Sequence, residues 1–152
     1  MIWLTLDASV ILKWFLARGE EPDWPAAEAL AGALRQDSVR LVQPPHWLAE
    51  VMAVIVRKRL RAADAALKAL VGLDVPVLGT EEVYRKASRL AEDTGAHLFD
   101  TLYHAVALLM PSCTLLTADR KYLNLAGNFG RIKTLQNFRA PVIACQALDG
   151  GR

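Results

Sequence analysis

The sequence predicts an α/β protein, a three-layer α/β/α sandwich around a short and mostly parallel sheet. Short apolar runs of strand length alternate with segments of helical periodicity along the 152 residues. A hydrophobic content of 53% with 22% charged residues fits one domain with a sizeable core. No repeat, linker or low-complexity tract interrupts the chain. We therefore expect a single domain over residues 1–152, with the least regular pattern in residues 128–152.

The elements of the first half follow from apolar periodicity and from turn residues. Residues 2–6 predict a buried strand that ends at Asp7, and residues 9–17 continue with helical spacing. Residues 19–25 predict a loop, because they contain one glycine and two prolines. The further elements are a helix at 25–36, a strand at 38–45, and helices at 46–61 and 63–73.

The second half repeats the alternation of strand and helix. Residues 75–79 predict a third strand, and a helix over 80–95 begins at Thr80, a good N-cap followed by two glutamates. Residues 97–110 predict a helix that is apolar almost all round and therefore buried. A buried strand follows, whose end carries Thr117 and Asp119, and a last strand is expected at 132–134.

Charge and cysteine content narrow the class of protein. Eighteen basic and 16 acidic residues give a net charge of +2, too close to neutral to indicate a nucleic-acid binder by itself. Cys113 and Cys145 lack the spacing of a metal or redox motif, so free thiols in a reducing cytosol are expected. The sequence shows no signal-peptide pattern and no apolar run long enough to span a membrane.

Four acids interrupt apolar surroundings, namely Asp7, Glu50, Asp100 and Asp119. Asp7 and Asp119 follow strands, and α/β proteins gather ligands beyond the carboxyl ends of strands. Carboxylates ~5 Å apart repel by roughly 3 kcal/mol at an effective dielectric of ~20. A divalent cation would offset that repulsion, and ligands that are all oxygen favour Mg²⁺ or Mn²⁺. The pattern thus predicts hydrolysis of a phosphodiester, with Thr117 positioning a water or a phosphate oxygen.

Simpler interpretations of the same acids remain open from the sequence. An aspartate after a strand is often only the N-cap of the next helix, which would account for Asp7 or Asp119 taken singly. Glu50 can be a solvated helix residue, although its neighbours Trp47 and Val51 are apolar.

The histidines allow a different metal. His97, Asp100 and His104 fall on one helix face, a spacing compatible with zinc or iron. A structural role is the competing interpretation: His97 as a helix cap, His104 as a half-buried side chain and His46 as part of the packing.

Taken together, four segments make the chain resemble the PIN domain family, and specifically its VapC-type toxins. The segments are "LDASVILKWF", "PPHWLAEVMAVIVRKR", "HLFDTLYHAVAL" and "LLTADRKYL". The resemblance implies an α/β/α sandwich and a metal-dependent ribonuclease. It matches Asp7, Glu50, Asp100 and Asp119 to the acidic quartet of the family, and Thr117 and Ser9 to positions that often line its site. Ala53 stands where many relatives carry asparagine.

The resemblance also implies partners: RNA, a small cognate antitoxin protein that blocks the site, and a second copy of the chain. Arg120, beside Asp119, is placed to contact RNA, as are the basic residues of 57–61 and 85–89 if these are not ordinary solvated helix faces. Trp14, Phe15 and Trp24 are either core residues or surface for a partner. Two other functions remain open: a binding module of the same fold without metal chemistry, and a metal-dependent nuclease acting on DNA.

Overall fold

Four parallel strands form the central sheet in the computed structural model, which describes residues 2–16, 22–58 and 63–141. The strand order is β2-β1-β3-β4, and every neighbouring pair is parallel. The strands are β1 (Ile2–Leu6), β2 (Val39–Leu41), β3 (Cys113–Thr117) and β4 (Ile132–Thr134). The predicted parallel α/β fold class is confirmed, and so is the strand at 132–134.

Helices flank this sheet and connect its strands. Parallel strands need crossover connections, and right-handed crossovers place helices on both faces of a sheet whose order runs in two directions from β1. The helices are α1 (Ala8–Ile11), α2 (Trp24–Arg35), α3 (Trp47–Arg57), α4 (Ala63–Gly72), α5 (Glu81–Thr94), α6 (Leu98–Leu109) and α7 (Arg120–Ala126). Short 3₁₀ turns at Leu12–Phe15, Gly127–Phe129 and Leu135–Asn137 complete the described chain.

The strand order creates a switch point between β1 and β3. From β1 the chain crosses to β2 on one side, and only later returns to add β3 on the other side. Leu6 is paired with Leu116, and the backbone N–H of Asp7 donates to the carbonyl of Leu116 at 3.0 Å. The carboxyl ends of the two strands therefore lie side by side, where α/β folds usually open a crevice.

Helix α6 forms the centre of the core, as its apolar sequence predicts. Seven consecutive residues from Thr101 to Ala107 are buried, and the helix packs against α5, β1 and β3. A helix buried on all sides holds its ends in fixed positions, because its neighbours leave it no room to shift. Its first turn, which carries Asp100, is thereby fixed beside the switch point.

Two predicted elements differ in the structure. The predicted strand at 75–79 is wrong, since the segment makes only an isolated bridge between Gln43 and Val77. Pro76 has no N–H for a sheet ladder and Val77 is 54% exposed, which explains why no strand forms there. The helical segment predicted from residue 9 is an α-helix only as far as Ile11 and then tightens into a 3₁₀ turn.

Other expectations concern the cysteines, the basic segment and the membrane. Cys113 is buried and free, as predicted, and Cys145 lies outside the described residues. Helix α3 ends at Arg57, and residues 59–61 of the basic segment also lie outside them. In the part of the chain that the structure describes, no helix has the length and apolar character needed to cross a membrane.

Candidate acidic site

Asp7 lies at the centre of a hydrogen-bond network that joins the ends of β1 and β3. Ser9 Oγ and Thr117 Oγ1 both donate to Asp7 Oδ2, at 2.6 and 2.7 Å. The two hydroxyls in turn accept backbone N–H groups, Ser9 from Ala118 at 3.1 Å and Thr117 from Asp119 at 2.9 Å. The network thus fixes one carboxylate of the candidate site against both strand ends.

The environment of Asp7 favours its protonated form. Burial raises the pKa of the Asp7 carboxyl group, and the hydrogen bonds from Ser9 and Thr117 offset this effect only in part. The negative charge of Glu50 raises the pKa further. Asp7 occupies the N-cap position of α1 but makes no side-chain capping bond, so capping does not account for it.

Asp119, in contrast, does cap a helix. Its Oδ1 accepts the backbone N–H of Tyr122 at 3.0 Å and closes the first turn of α7. The same carboxylate lies close enough to Asp100 for its charge to raise the pKa of Asp100. The capping interpretation is therefore confirmed for Asp119, and it coexists with a place beside the other acids.

Glu50 reaches the site from the first turn of α3. Tyr103, on the buried helix α6, donates its hydroxyl to Glu50 Oε2 at 2.8 Å, and His46 Nε2 lies 3.5 Å from the same oxygen. Burial by itself raises the pKa of Glu50, but His46 and Tyr103 outweigh it and the pKa is lowered. With 29% of its side chain exposed and two defined contacts, Glu50 is not a freely solvated residue.

Asp100 lies within range of the charges of the other three acids. Its pKa is raised to about 6, first by burial and then by the charges of Asp7, Glu50 and Asp119. The four carboxylates come from four separate segments of the chain, so only the tertiary structure brings them within electrostatic range of one another. The acids that the sequence singles out therefore share one negatively charged region at the switch point.

This region fits a hard divalent cation by the chemistry of its donors. Carboxylates and hydroxyls are the ligands of Mg²⁺ and Mn²⁺. Burial raises the pKa of Asp100 most, and the neighbouring negative charges that raise it further are ones that a cation would neutralise. Within residues 2–16, 22–58 and 63–141, no three His, Cys, Asp or Glu side chains are placed so that they could already hold a metal ion. Binding would therefore require some of the carboxylates to turn toward the ion.

The histidine alternative does not fit the structure. Both ring nitrogens of His104 have partners inside the fold, the Tyr122 hydroxyl at 3.1 Å and the Gly130 carbonyl at 2.7 Å. His104 is fully buried rather than half-buried, and burial lowers its pKa. His97 caps α6 by accepting the N–H of Phe99 at 3.2 Å, as expected. These histidines are structural.

Sequence reasoning named Ser9 and Thr117 but missed three other residues near the acids, Gln43, Tyr103 and His46. Gln43 is fully buried, and its side-chain amide both donates to the Leu6 carbonyl (2.9 Å) and accepts the Leu6 N–H (3.1 Å). It completes the ladder at the end of β1, one residue before Asp7. Tyr103 supports Glu50 through a hydrogen bond, and His46 lies 3.5 Å from the same carboxylate oxygen. The sequence signal for Gln43 was its position between an apolar strand and two prolines.

Two cavities flank the acids. One, of about 180 Å³, is lined by Asp100 and Asp119 together with His97 and Lys121. The other, of about 250 Å³, lies beyond Thr117 and is lined by Arg120 and by Lys13, which forms an ion pair with Asp23 at 3.1 Å. Arg120 is exposed and lines this second cavity, where its charge acts on Asp23. A contact between Arg120 and RNA stays a prediction.

Comparison with known proteins agrees with this architecture. A family model described as "PIN domain" matches residues 4–128. The crystal structure of PAE2754 from Pyrobaculum aerophilum is similar in fold, with a TM-score of 0.60, 18% identity and 90% of each chain covered. No curated protein matches the sequence.

PIN domains are in general nucleases, which use divalent metal ions and bind nucleic acid. An acidic region at the carboxyl ends of two neighbouring parallel strands is consistent with that chemistry. On the match over residues 4–128 and the shared fold, this chain belongs to the PIN domain family.

Proposed function

We propose that this protein is a metal-dependent endoribonuclease that cleaves RNA phosphodiesters. The observation that carries the proposal is the acidic region at the ends of β1 and β3, where Asp100 and Asp119 line one cavity and the charges of Asp7 and Glu50 also act on Asp100. Such a concentration of negative charge repels an RNA backbone unless a cation lies between them. The acids are therefore better explained by a metal-assisted reaction on phosphate than by direct binding of RNA.

Asp7, Asp100 and Asp119, with Glu50 directly or through water, are the residues that would hold Mg²⁺ or Mn²⁺. When bound, the ion supplies charge neutralisation at the phosphate and activation of the attacking water. Ser9 and Thr117 hold the carboxylate of Asp7 in place through its Oδ2.

Other side chains of the site bind the substrate and orient the acids. Arg120 contacts the RNA backbone from the neighbouring cavity, since it directly follows Asp119, is exposed, and carries a guanidinium that suits phosphate oxygens. Tyr103 keeps the carboxylate of Glu50 oriented by donating to its Oε2.

We also propose that the enzyme is the toxin of a cytosolic toxin-antitoxin pair, is blocked by a cognate antitoxin and forms a homodimer. The resemblance of four segments to VapC-type toxins supports this role. So does an apolar groove of about 410 Å³, to which Trp14, Phe15, Leu70 and Leu73 contribute. Trp14 and Phe15 pack on the core and line this groove at the same time, so the core interpretation holds in part and their role as surface for a partner stays a prediction. An apolar groove of this kind suits a partner helix.

The test compares Asp7→Asn with Asp37→Asn, an exposed aspartate at a positive φ of 52° that asparagine tolerates. We expect Asp7→Asn to lose more than about 100-fold in Mn²⁺-dependent cleavage of RNA, beyond the usual loss on removing an outer-shell partner of a metal. Asp37→Asn should keep full activity. Full activity in Asp7→Asn, with an unchanged circular dichroism spectrum, would contradict the proposal.

A binding module without metal chemistry is the second candidate, because no three of the described His, Cys, Asp and Glu side chains form a ready metal site. Titration calorimetry with Mn²⁺ separates the two candidates. A nuclease should show saturable heat that disappears in Asp119→Asn, whereas a binding module should show none. Parallel assays on RNA and DNA oligonucleotides of the same sequence test the remaining alternative, a nuclease acting on DNA.

A further inference from the structure

Phe99 places an exposed aromatic ring at the edge of the acidic site. It directly precedes Asp100 in the first turn of α6, and 46% of its surface is exposed. Burying such a ring would gain ~2 kcal/mol, so its exposed surface is available to a ligand that covers it. The proposed role of the acids does not use it.

Other rings hold Phe99 in place from the protein side. His46 stacks on it, with ring centroids 4.9 Å apart and the planes inclined by 25°. His97 meets it edge-on at 5.0 Å, and Tyr103 meets His46 edge-on at 4.8 Å. Since His46 covers one face of Phe99, its solvent contact falls on the remaining surface. A supported ring of this kind loses little freedom when a ligand stacks on it.

We propose that the outer face of Phe99 stacks against a nucleobase of a single-stranded RNA substrate, next to the phosphate that the acids address. The inference rests on the proposed ribonuclease function and adds a residue that binds the base. Stacking does not depend on charge, so it can attract RNA where the acids repel it. Because every base has a flat aromatic face, the contact does not require a particular base. The bases of a duplex are stacked on each other, so the Phe99 ring favours single strands and loops.

The first experiment measures cleavage of a single-stranded RNA oligonucleotide by the full chain with Mn²⁺. Phe99→Ala should raise KM by roughly 5- to 150-fold, which corresponds to the loss of one base–aromatic stack, with kcat within about twofold. Phe99→Trp should keep the wild-type KM. Leu98→Ala is the matched control, since Leu98 is the preceding residue, 37% exposed and aliphatic, and its variant should behave as wild type.

The second experiment reports stacking without cleavage. With Ca²⁺ in place of Mn²⁺, so that a cation still lies between the acids and the phosphates, an RNA oligonucleotide containing 2-aminopurine should lose fluorescence when the wild-type protein and Phe99→Trp bind it, but not with Phe99→Ala. Binding of the same sequence as a duplex should be equal in all variants. Equal KM values and equal quenching for wild type and Phe99→Ala would overturn the inference. An absence of quenching by wild type would also overturn it and would leave Phe99 as surface for a protein partner. Quenching without any RNA cleavage by wild type would instead contradict the ribonuclease function alone.

Discussion

Asp100 carries a carboxyl group whose pKa is raised to about 6 by burial and by three neighbouring negative charges. In the unfolded chain an aspartate titrates near ~3.9, so the folded state binds this proton more tightly. Asp100 therefore lowers the free energy of unfolding as the pH rises from ~4 to ~6, and the loss persists at neutral pH. A residue that weakens its own fold at working pH is typical of a functional site.

Replacing Asp100 by asparagine should stabilise the protein in the absence of divalent cations. At pH 8 we expect a gain of about 1–2 kcal/mol in the free energy of unfolding, below the full value of a two-unit shift because solvent screens a half-buried group. At pH 4 the gain should vanish. Urea unfolding at both pH values measures it, with the exposed Asp74→Asn as control. A variant less stable than wild type at pH 8 would show that Asp100 is not under repulsion.

At the scale of elements, the end of β1 depends on a side chain that makes the hydrogen bonds a neighbouring strand would otherwise make. Gln43 follows β2, and its amide pairs with both backbone groups of Leu6. Its own backbone accepts the N–H of Leu78 at 2.9 Å and donates to the carbonyl of Pro76 at 3.0 Å. Gln43 thus connects β1 with residues 75–79. This explains why β1 stays hydrogen-bonded up to the residue before Asp7, although β2 has only three residues.

Gln43→Leu should destabilise the fold and disturb the site together. The substitution leaves the N–H and carbonyl of Leu6 buried without partners, at about 1–3 kcal/mol for each group. We expect a loss of about 2–5 kcal/mol in urea unfolding and a matching loss of nuclease activity. Gln36→Leu, at the exposed C-cap of α2, is the control and should stay within ~0.5 kcal/mol of wild type. Equal stability of the two variants would mean that the pairing of Gln43 with Leu6 contributes nothing.

At the scale of the whole molecule, the strand order decides where the chemistry lies. Because the chain leaves β1 toward β2 and returns to β3 on the opposite side, the ends of β1 and β3 open onto one crevice. Helices α3 and α6 add their first turns to it, with Glu50 and Asp100. The core stabilises a site that is electrostatically unfavourable in the absence of a cation.

A divalent cation should therefore stabilise the whole fold. A ligand at 100 times its Kd adds about 2.7 kcal/mol by mass action. For a domain of this size we expect Mn²⁺ to raise the Tm by about 5–10 °C in a calorimetric scan. The rise should shrink in Asp7→Asn and persist in Asp74→Asn. An equal rise in both variants would place the bound ion outside the four acids.

Much of the architecture was open to prediction from local pattern. The spacing of apolar residues indicated the parallel sheet and the buried helix α6, because a buried element carries apolar residues at most of its consecutive positions. The short helix α7 was not predicted, since seven residues hold too little periodicity to separate from the strand before them. The strand at 75–79 was predicted from apolar content alone, and Pro76 with the exposed Val77 shows why content is insufficient.

For the site, the sequence by itself determined which acids stand in apolar surroundings at the ends of elements. That is a local property, and in the fold the charges of the other three acids act on Asp100. Only the tertiary structure decided which side chains hold and support them. Gln43 meets Leu6 across 37 positions, Tyr103 meets Glu50 across 53, and Thr117 meets Asp7 across 110. Such contacts depend on how distant segments pack together, so the pattern of residues within one segment does not predict them.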